Sequence, residues 1–263
     1  MSLAEVTSYL EAKGIDYRVT AFSKQAAIID AAGLSIRDVM NRLGGLYKIG
    51  SAACVLGSKD VVDTVRMKEK LDSSEFYSWL DEKVRWCISI YRDEAGFDLE
   101  FPNFLQEYFK ERLKKDGVKK ARYILPKRTG EADQEVISDD LVKKRIVDEG
   151  LEILVAYLSG EYYIGRTLEV VRNQEFISRD LGRPFQNPKL SIPPKIARIL
   201  VSLTGLKPGG NLLDPFCGIG TILQEAAVLG LKILGGDIDR QRVSETVKNL
   251  KWLSETYNLN IEN

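Results

Sequence analysis

The stretch Asp214-Pro-Phe-Cys-Gly-Ile-Gly-Thr221 decides the fold of the C-terminal part of this chain. It follows a short apolar segment, 211–213, and precedes the helical pattern of residues 222–229. A glycine-rich turn between a strand and a helix lets the backbone approach a ligand closely and points free N–H groups at it. The pattern therefore predicts a ligand site at the carboxyl edge of a parallel sheet.

A second strand-and-turn pattern lies close behind the first. Residues 231–235 predict a strand, and the acidic residues Asp237 and Asp239 follow it, Asp237 seventeen positions after Gly220. An acidic residue at this place commonly binds ribose hydroxyls. Together the two patterns predict a nucleoside site, and a tight turn without a ligand is the alternative.

The details of the turn favour S-adenosylmethionine (SAM) over a dinucleotide. The dinucleotide fingerprint needs a third glycine where this chain has Leu223. The turn instead begins with a carboxylate, which suits the cationic amino-acid end of SAM. The predicted cofactor contacts are Asp214, Gly218, Gly220, Thr221, Asp237 and Asp239.

The same turn resembles the first motif of RNA methyltransferases that carry a THUMP domain, most closely the archaeal tRNA (guanine-N(2))-methyltransferases. Residues 183–201, Arg-Pro-Phe-Gln-Asn-Pro-Lys-Leu-Ser-Ile-Pro-Pro-Lys-Ile-Ala-Arg-Ile-Leu-Val, are similar to the approach to their catalytic domain. Residues 154–167, from Leu154 to Thr167, are similar to the end of their THUMP domain. The resemblance implies a SAM-dependent enzyme that binds tRNA and methylates the exocyclic amine of guanosine.

One expected motif is missing. In the family, an Asp/Asn-Pro-Pro-Tyr motif holds the acceptor amine, whereas the only Pro-Pro of this sequence is Pro193-Pro194, upstream of the turn. We therefore predict no catalytic residue in this chain. We also expect that it ends within the first half of the methyltransferase sheet and that its start is shortened. The alternative to a shortened chain is a second polypeptide that supplies the missing motif.

The resemblance and the composition patterns together predict four segments in a mixed α/β and α+β chain. Residues 1–45 form a ferredoxin-like domain, 46–170 a THUMP-like RNA-binding domain, 171–190 a connector, and 191–263 a partial Rossmann-like SAM-binding domain. Within the second segment, 102–113 predicts an amphipathic helix that buries Phe104, Leu105, Tyr108 and Phe109.

Composition narrows the functional classes. The 263 residues carry 38 basic and 38 acidic side chains, so nucleic-acid binding needs a local patch. Three scattered cysteines argue against a disulfide framework or a zinc site, and the absence of histidine argues against most metal sites and histidine bases. No apolar run predicts a membrane span, and we expect a cytoplasmic protein without a metal.

A basic run supplies such a patch. Residues 110–128 contain nine cations against Glu111 and Asp116. The predicted RNA contacts are Lys110, Arg112, Lys114, Lys115, Lys119, Lys120, Arg122, Lys127 and Arg128. The alternative is a solvated helix face and loop, and the THUMP resemblance favours RNA.

Cys217 and a set of apolar positions between 243 and 253 are interpreted as packing residues. Cys217 lies inside the cofactor turn, where we expect a small packed side chain rather than a nucleophilic thiol. Val243, Val247, Leu250, Trp252 and Leu253 fall at helical spacing and predict the face that covers the sheet.

The working hypothesis is a SAM-dependent tRNA guanosine methyltransferase, of which this chain contains the targeting region and half of the catalytic domain. Three alternatives stay open at this point. They are an adenine-N(6) nucleic-acid methylase, a non-catalytic RNA-binding protein, and one half of a split enzyme.

Overall fold

The computed structural model describes residues 2–78, 80–92, 96–129, 133–187 and 191–261. Its helices are α1 Ser2–Lys13, α2 Ile36–Arg42, α3 Ser58–Val62, α4 Thr64–Asp72, α5 Phe101–Lys115, α6 Ser138–Lys143, α7 Ile146–Glu149, α8 Asn173–Gly182, α9 Pro194–Leu203, α10 Thr221–Val228 and α11 Arg240–Tyr257. Its strands are β1 Tyr17–Phe22, β2 Ala27–Ala31, β3 Lys48–Gly57, β4 Lys83–Arg92, β5 Lys120–Tyr123, β6 Lys127–Thr129, β7 Asp133–Glu135, β8 Leu151–Leu158, β9 Glu161–Val170, β10 Asn211–Asp214 and β11 Lys232–Gly235. The predicted mixed α/β class is confirmed.

The chain divides into two compact units. Unit one comprises Met1–Tyr17, Ala31–Leu46 and Arg172–Asn263, and unit two comprises Arg18–Asp30 and Tyr47–Val171. The division distributes the first 46 residues over both units. The four predicted domains stay a prediction.

Unit two is built on a seven-stranded mixed sheet. Its order is β3-β9-β8-β4-β7-β6, and β5 pairs with β4. β4 alternates between two buried faces, with Trp86 and Ile88 in the main core and Cys87 in a smaller core with Leu141 and Ile146. β8 is almost entirely buried, which explains its nearly continuous apolar sequence.

Helix α5 covers the main core face of this sheet. Leu105, Tyr108 and Phe109 are buried, and Phe104 packs against them at the margin of the core. The amphipathic pattern of this helix is therefore confirmed. Phe109 of this helix meets Phe76 edge-on, with ring centroids 5.0 Å apart.

Unit one contains the parallel pair β10 and β11, covered on one face by α10. Their register places Asp214 opposite Gly235. The core of this unit joins Leu212, Leu223 and Ala226 with Val201 of α9. Helix α8 lies inside the segment that the sequence assigns to a connector, so that segment is in part helical.

The N-terminal helix of unit one is fixed by a buried carboxylate. Glu5 accepts hydrogen bonds from the backbone N–H groups of Gly44 and Gly45, both at 2.8 Å. Burial raises the pKa of this carboxyl. The glycine at 44 is required by close packing, because a Cβ there would lie 2.5 Å from the carbonyl oxygen of Lys195.

Candidate cofactor site

The glycine-rich turn follows β10 directly, as the sequence predicts. The Phe216 N–H donates to Asp214 Oδ1 at 3.1 Å, and the Gly220 N–H donates to the Cys217 carbonyl at 2.7 Å. Gly218 and Gly220 adopt left-handed conformations with φ of +53° and +86°. These conformations favour glycine, and they bring the chain sharply into the first turn of α10.

Asp237 ties this turn to the loop after β11. Its Oδ2 accepts from the Gly218 N–H at 2.9 Å, and its Oδ1 accepts from the Asp239 N–H at 3.0 Å. The backbone N–H groups of Asp239 and then Gly218 hold the pKa of the Asp237 carboxyl below its ordinary value. The carboxylate is thus ionised at neutral pH at the shared edge of both strands.

The turn is supported from behind by two polar side chains of α11. Thr246 Oγ1 donates to the Gly218 carbonyl at 2.7 Å, and Asn249 Nδ2 donates to the Ile219 carbonyl at 3.0 Å. Asn249 also exchanges two hydrogen bonds with the backbone of Phe185. These residues were not predicted, although buried polar residues three positions apart on one helix face are the signal that could have found them.

The predicted apolar face of α11 is accordingly wrong at one position. Val247 is 54% exposed, whereas Thr246, Asn249 and Leu253 are buried. The helix is rotated so that hydrogen-bonding side chains meet the turn, because the turn carbonyls need buried donors.

The two remaining predicted contacts have local roles. The buried Thr221 hydroxyl accepts from Arg183 Nη1 at 2.8 Å. Asp239 caps the N-terminus of α11 by accepting from the Gln241 N–H at 2.8 Å. The structure therefore gathers Asp214, Gly218 and Asp237 at one edge and places Thr221 beneath them.

A buried charge cluster anchors helix α10. Glu225 pairs with Arg179 and Arg198, each through an N···O distance of 2.6 Å, and all three side chains are buried. Burial lowers the pKa of the Arg198 guanidinium, which also donates to the Asn41 carbonyl. Sequence reasoning missed this cluster because its members come from three separate helices.

Two apolar side chains beside the acidic groups are exposed to solvent. Phe216 is 84% exposed, and Ile238, between the two aspartates, is fully exposed. A Cβ added at Gly218 would meet no atom within 4 Å, so there is open space next to the turn. A separate cavity of unit one is lined by Tyr9, Leu43 and Lys207 and by none of the predicted cofactor residues.

One protein-family model matches the segment that contains the turn. The model of the RMKL-like methyltransferase domain matches residues 182–261, which include the turn, both aspartates and α11. This stretch is called the matched segment below.

Similar proteins span a longer sequence. The tRNA (guanine(10)-N2)-dimethyltransferase of Methanothermobacter thermautotrophicus is 27% identical over 250 residues, which are 94% of this chain and 64% of that protein. This chain thus spans less than two-thirds of the length of that relative.

Two solved structures share the fold. TrmN from Thermus thermophilus has a TM-score of 0.51 at 15% identity, covering 98% of this chain and 67% of its own. SMU.472 in complex with SAH has a TM-score of 0.52 at 12% identity, covering 99% and 72%.

Cys217 packs inside the matched segment, as expected. It is buried against Leu223 and Leu212, and its sulfur lies 3.8 Å from Thr246 Oγ1. Burial raises the pKa of the thiol, which disfavours a reactive thiolate. All three cysteines are free and buried.

Across the described ranges, no group of His, Cys, Asp or Glu side chains has the spacing to hold a metal ion. In the same part of the chain, no helix is both long and apolar enough to cross a membrane.

The predicted RNA contacts of unit two do not share one surface environment. Lys110 pairs with Glu107 and Lys119 pairs with Glu82. Lys114, Lys115, Lys120 and Arg122 are exposed. Lys127 and Arg128 lie on β6, and their side chains fall outside the described part of the structure.

Arg112 points into the packing of unit two. Its guanidinium donates to the carbonyls of Leu71 and Ser74 at 2.6 and 2.9 Å and lies over the rings of Phe76 and Tyr77. Its side chain is only 17% exposed. We therefore expect Arg112 to stabilise the fold rather than to contact RNA.

Proposed function

We propose that this chain is part of a SAM-dependent tRNA methyltransferase that acts on the exocyclic amine of guanosine. One observation carries the proposal. The glycine-rich turn after β10 is held to the Asp237 carboxylate by a hydrogen bond from the Gly218 N–H. The RMKL-like methyltransferase domain, the name of the archaeal relative and the SAH complex of SMU.472 support it.

The donor set of the turn fits this cofactor. Asp214 would lie near the cationic amino-acid end, and Asp237 would accept from the ribose hydroxyls. The first N–H groups of a helix have no partner within the helix and favour anions, and α10 begins directly after the turn. Ile238 offers an open apolar surface beside these polar groups, which suits a nucleoside base.

When bound, SAM supplies a methyl group on a sulfonium that is already a good leaving group. The guanosine amine nitrogen would form the new N–C bond as the S–C bond breaks, with the bonding pair left on the thioether sulfur and a proton lost from the amine. This transfer depends mainly on positioning. No residue of this chain is assigned to hold the amine, because the sequence contains no Asp/Asn-Pro-Pro-Tyr tetrapeptide.

In this proposal, unit two binds the tRNA substrate. We propose that it is the THUMP-like region and that its exposed cations Lys114, Lys115, Lys120 and Arg122 contact tRNA phosphates. Such contacts give salt-dependent binding without sequence readout. A cytoplasmic location follows from a tRNA substrate.

The cofactor half of the proposal is tested by calorimetric titration of the chain with SAM and SAH. Asp214→Ala and Asp237→Ala should each weaken binding about 10- to 100-fold, since a hydrogen bond to a charged group contributes roughly 1.5–3 kcal/mol. Glu255→Ala on the exposed end of α11 is the control, with unchanged affinity expected. Equal affinities for all four proteins would overturn this assignment of the site.

The substrate half is tested by transfer from radiolabelled SAM to an unmodified tRNA transcript, followed by nucleoside analysis. Label in N(2)-methylguanosine supports the proposal, and label in N(6)-methyladenosine supports the adenine alternative. Transfer that requires a second polypeptide indicates a split enzyme. Binding of tRNA without binding of SAM indicates a non-catalytic RNA-binding protein.

A further inference from the structure

The register of β4 and β5 brings four cations together. The two strands are parallel, with Lys83 opposite Lys120 and Arg85 opposite Arg122. Residues directly opposite each other on neighbouring strands point to the same face, as do residues two apart on one strand. All four side chains are exposed, so they form one cationic face of unit two, called the β4–β5 face here.

The neighbouring residues confirm which side of the sheet this is. Val84 and Trp86 alternate with the cations and are buried in the main core. The Trp86 ring meets Tyr123 of β5 on that core side, with centroids 4.7 Å apart. Arg85 is directed to the opposite side, where its Nη1 donates to the Lys144 carbonyl at 2.9 Å.

The four charges are close enough to act together. Neighbouring strands lie about 4.8 Å apart, and residues two apart on a strand are separated by about 6.6 Å. Both distances are shorter than the screening length of about 8 Å at physiological ionic strength. Like charges in such positions repel, so the face costs stability unless an anion binds there.

The acidic residues nearby leave these charges largely uncompensated. Glu82 pairs with Lys119, and Asp140 pairs with Lys144. Among the described residues, no carboxylate forms an ion pair with Lys83, Lys120 or Arg122.

Protection of a sheet edge explains only part of this arrangement. Edge strands often carry lysine to prevent pairing with other chains, and this accounts for Lys120 and Arg122 on the short strand β5. The pairing of β4 with β8 begins only at Trp86, so at Lys83 and Arg85 strand β4 is paired with β5 alone and also gains from edge protection. Edge protection gives no reason, however, for placing like charges directly opposite each other, where they repel.

We infer that the β4–β5 face binds the phosphate backbone of RNA, with Lys83 and Arg85 as contacts beside Lys120 and Arg122. Each register pair offers two like cations, each to a phosphate group of its own. Arginine binds phosphate through a planar fork and lysine as a point charge, and neither reads a base here. This inference rests on the proposed function for its choice of RNA among polyanions.

The test compares two double variants of equal charge change in the same unit. Lys83→Gln with Lys120→Gln removes one register pair, and Lys59→Gln with Lys68→Gln removes two exposed lysines of α3 and α4. Binding of a tRNA transcript is measured for both and for the wild type over a range of salt concentrations. SAM affinity and thermal unfolding are measured on the same samples.

The register-pair variant should bind tRNA more weakly, with a salt slope reduced by about 1.4–1.8, because each lost phosphate contact removes roughly 0.7–0.9 of the slope. Its melting temperature should not fall, since repulsion is relieved, and the control variant should match the wild type in binding. A slope equal to that of the wild type in a folded register-pair variant overturns the inference. So does a wild type that fails to bind tRNA.

The SAM titration separates the two claims. A protein that binds tRNA through this face but does not bind SAM contradicts the proposed function and leaves the inference standing. If the protein binds SAM but the register-pair variant binds tRNA as tightly as the wild type does, the inference alone is contradicted.

Discussion

The turn after β10 and the basic run of residues 110–128 are both contiguous in sequence. The fold keeps the residues of the turn together but disperses those of the basic run. In the turn, neighbouring residues stay together: Asp214 accepts from the nearby Phe216 N–H, and Gly218 at the same edge donates to Asp237 after β11. In the basic run, neighbours are dispersed. Arg112 turns inward, Lys119 pairs with Glu82, and Arg122 joins Arg85 from another strand.

The difference comes from the length of chain over which geometry is fixed. A tight turn determines its own backbone within a few residues, so its sequence motif is also a spatial motif. A charge run that crosses a helix, a loop and a strand has no common face. Which of its members act together depends on strand register, which distant residues decide.

The largest effect should follow from breaking the buried charge cluster that anchors α10, the helix into which the turn leads. Glu225→Gln leaves the buried Arg179 and Arg198 without their shared carboxylate. We expect a loss of about 3–5 kcal/mol in the free energy of unfolding, measured by denaturant titration. Glu255→Gln, at an exposed pair with Lys251, is the matched control and should change little.

Replacing either glycine of the turn by alanine should lower the free energy of unfolding, but by different amounts. Gly220→Ala forces a left-handed alanine and places its Cβ 2.8 Å from Thr246 Cγ2, so we expect a loss of about 2–4 kcal/mol. Gly218→Ala meets no neighbouring atom and should cost only about 1–2 kcal/mol in unfolding experiments. Equal losses would show that strain alone, and not packing on α11, governs the turn.

The basic run should separate into structural and exposed members. Arg112→Ala removes hydrogen bonds to Leu71 and Ser74 and should lower the free energy of unfolding by about 2 kcal/mol. Lys114→Ala, two positions further along the same helix, should leave stability unchanged and lower the salt slope of tRNA binding. If the two variants exchange these effects, the placement of Arg112 in the packing is wrong.

The smallest effect concerns pH. The pKa of Asp237 is lowered in the folded protein, so its stabilising contribution is complete above the ordinary pKa of 3.8 and is lost as the pH falls through the lowered value. The difference in melting temperature between the wild type and Asp237→Asn should stay constant from pH 7 to about 5 and shrink below pH 4. A difference that instead grows on acidification would contradict the ionised role of Asp237.

Much of the candidate site was predictable because its signals are local. The strand, the two glycines, the capping residue of α11 and the acid after β11 lie in order along one short segment, and each has a backbone requirement that few residues satisfy. The exposed Val247 shows the limit of the same reasoning. Apolar spacing predicts a face for α11, but the unsatisfied carbonyls of the turn select Thr246 and Asn249 for burial instead.

The sequence by itself determined the βα turn, the spacing of its acids and the amphipathic character of α5, because these follow from local backbone geometry and helical periodicity. Only the tertiary structure decided that Glu225 joins two arginines, that Arg112 is packed inside, and that Lys83 stands beside Lys120. Those contacts join residues far apart in the chain. Their formation depends on the burial and register of whole elements, which no single segment specifies.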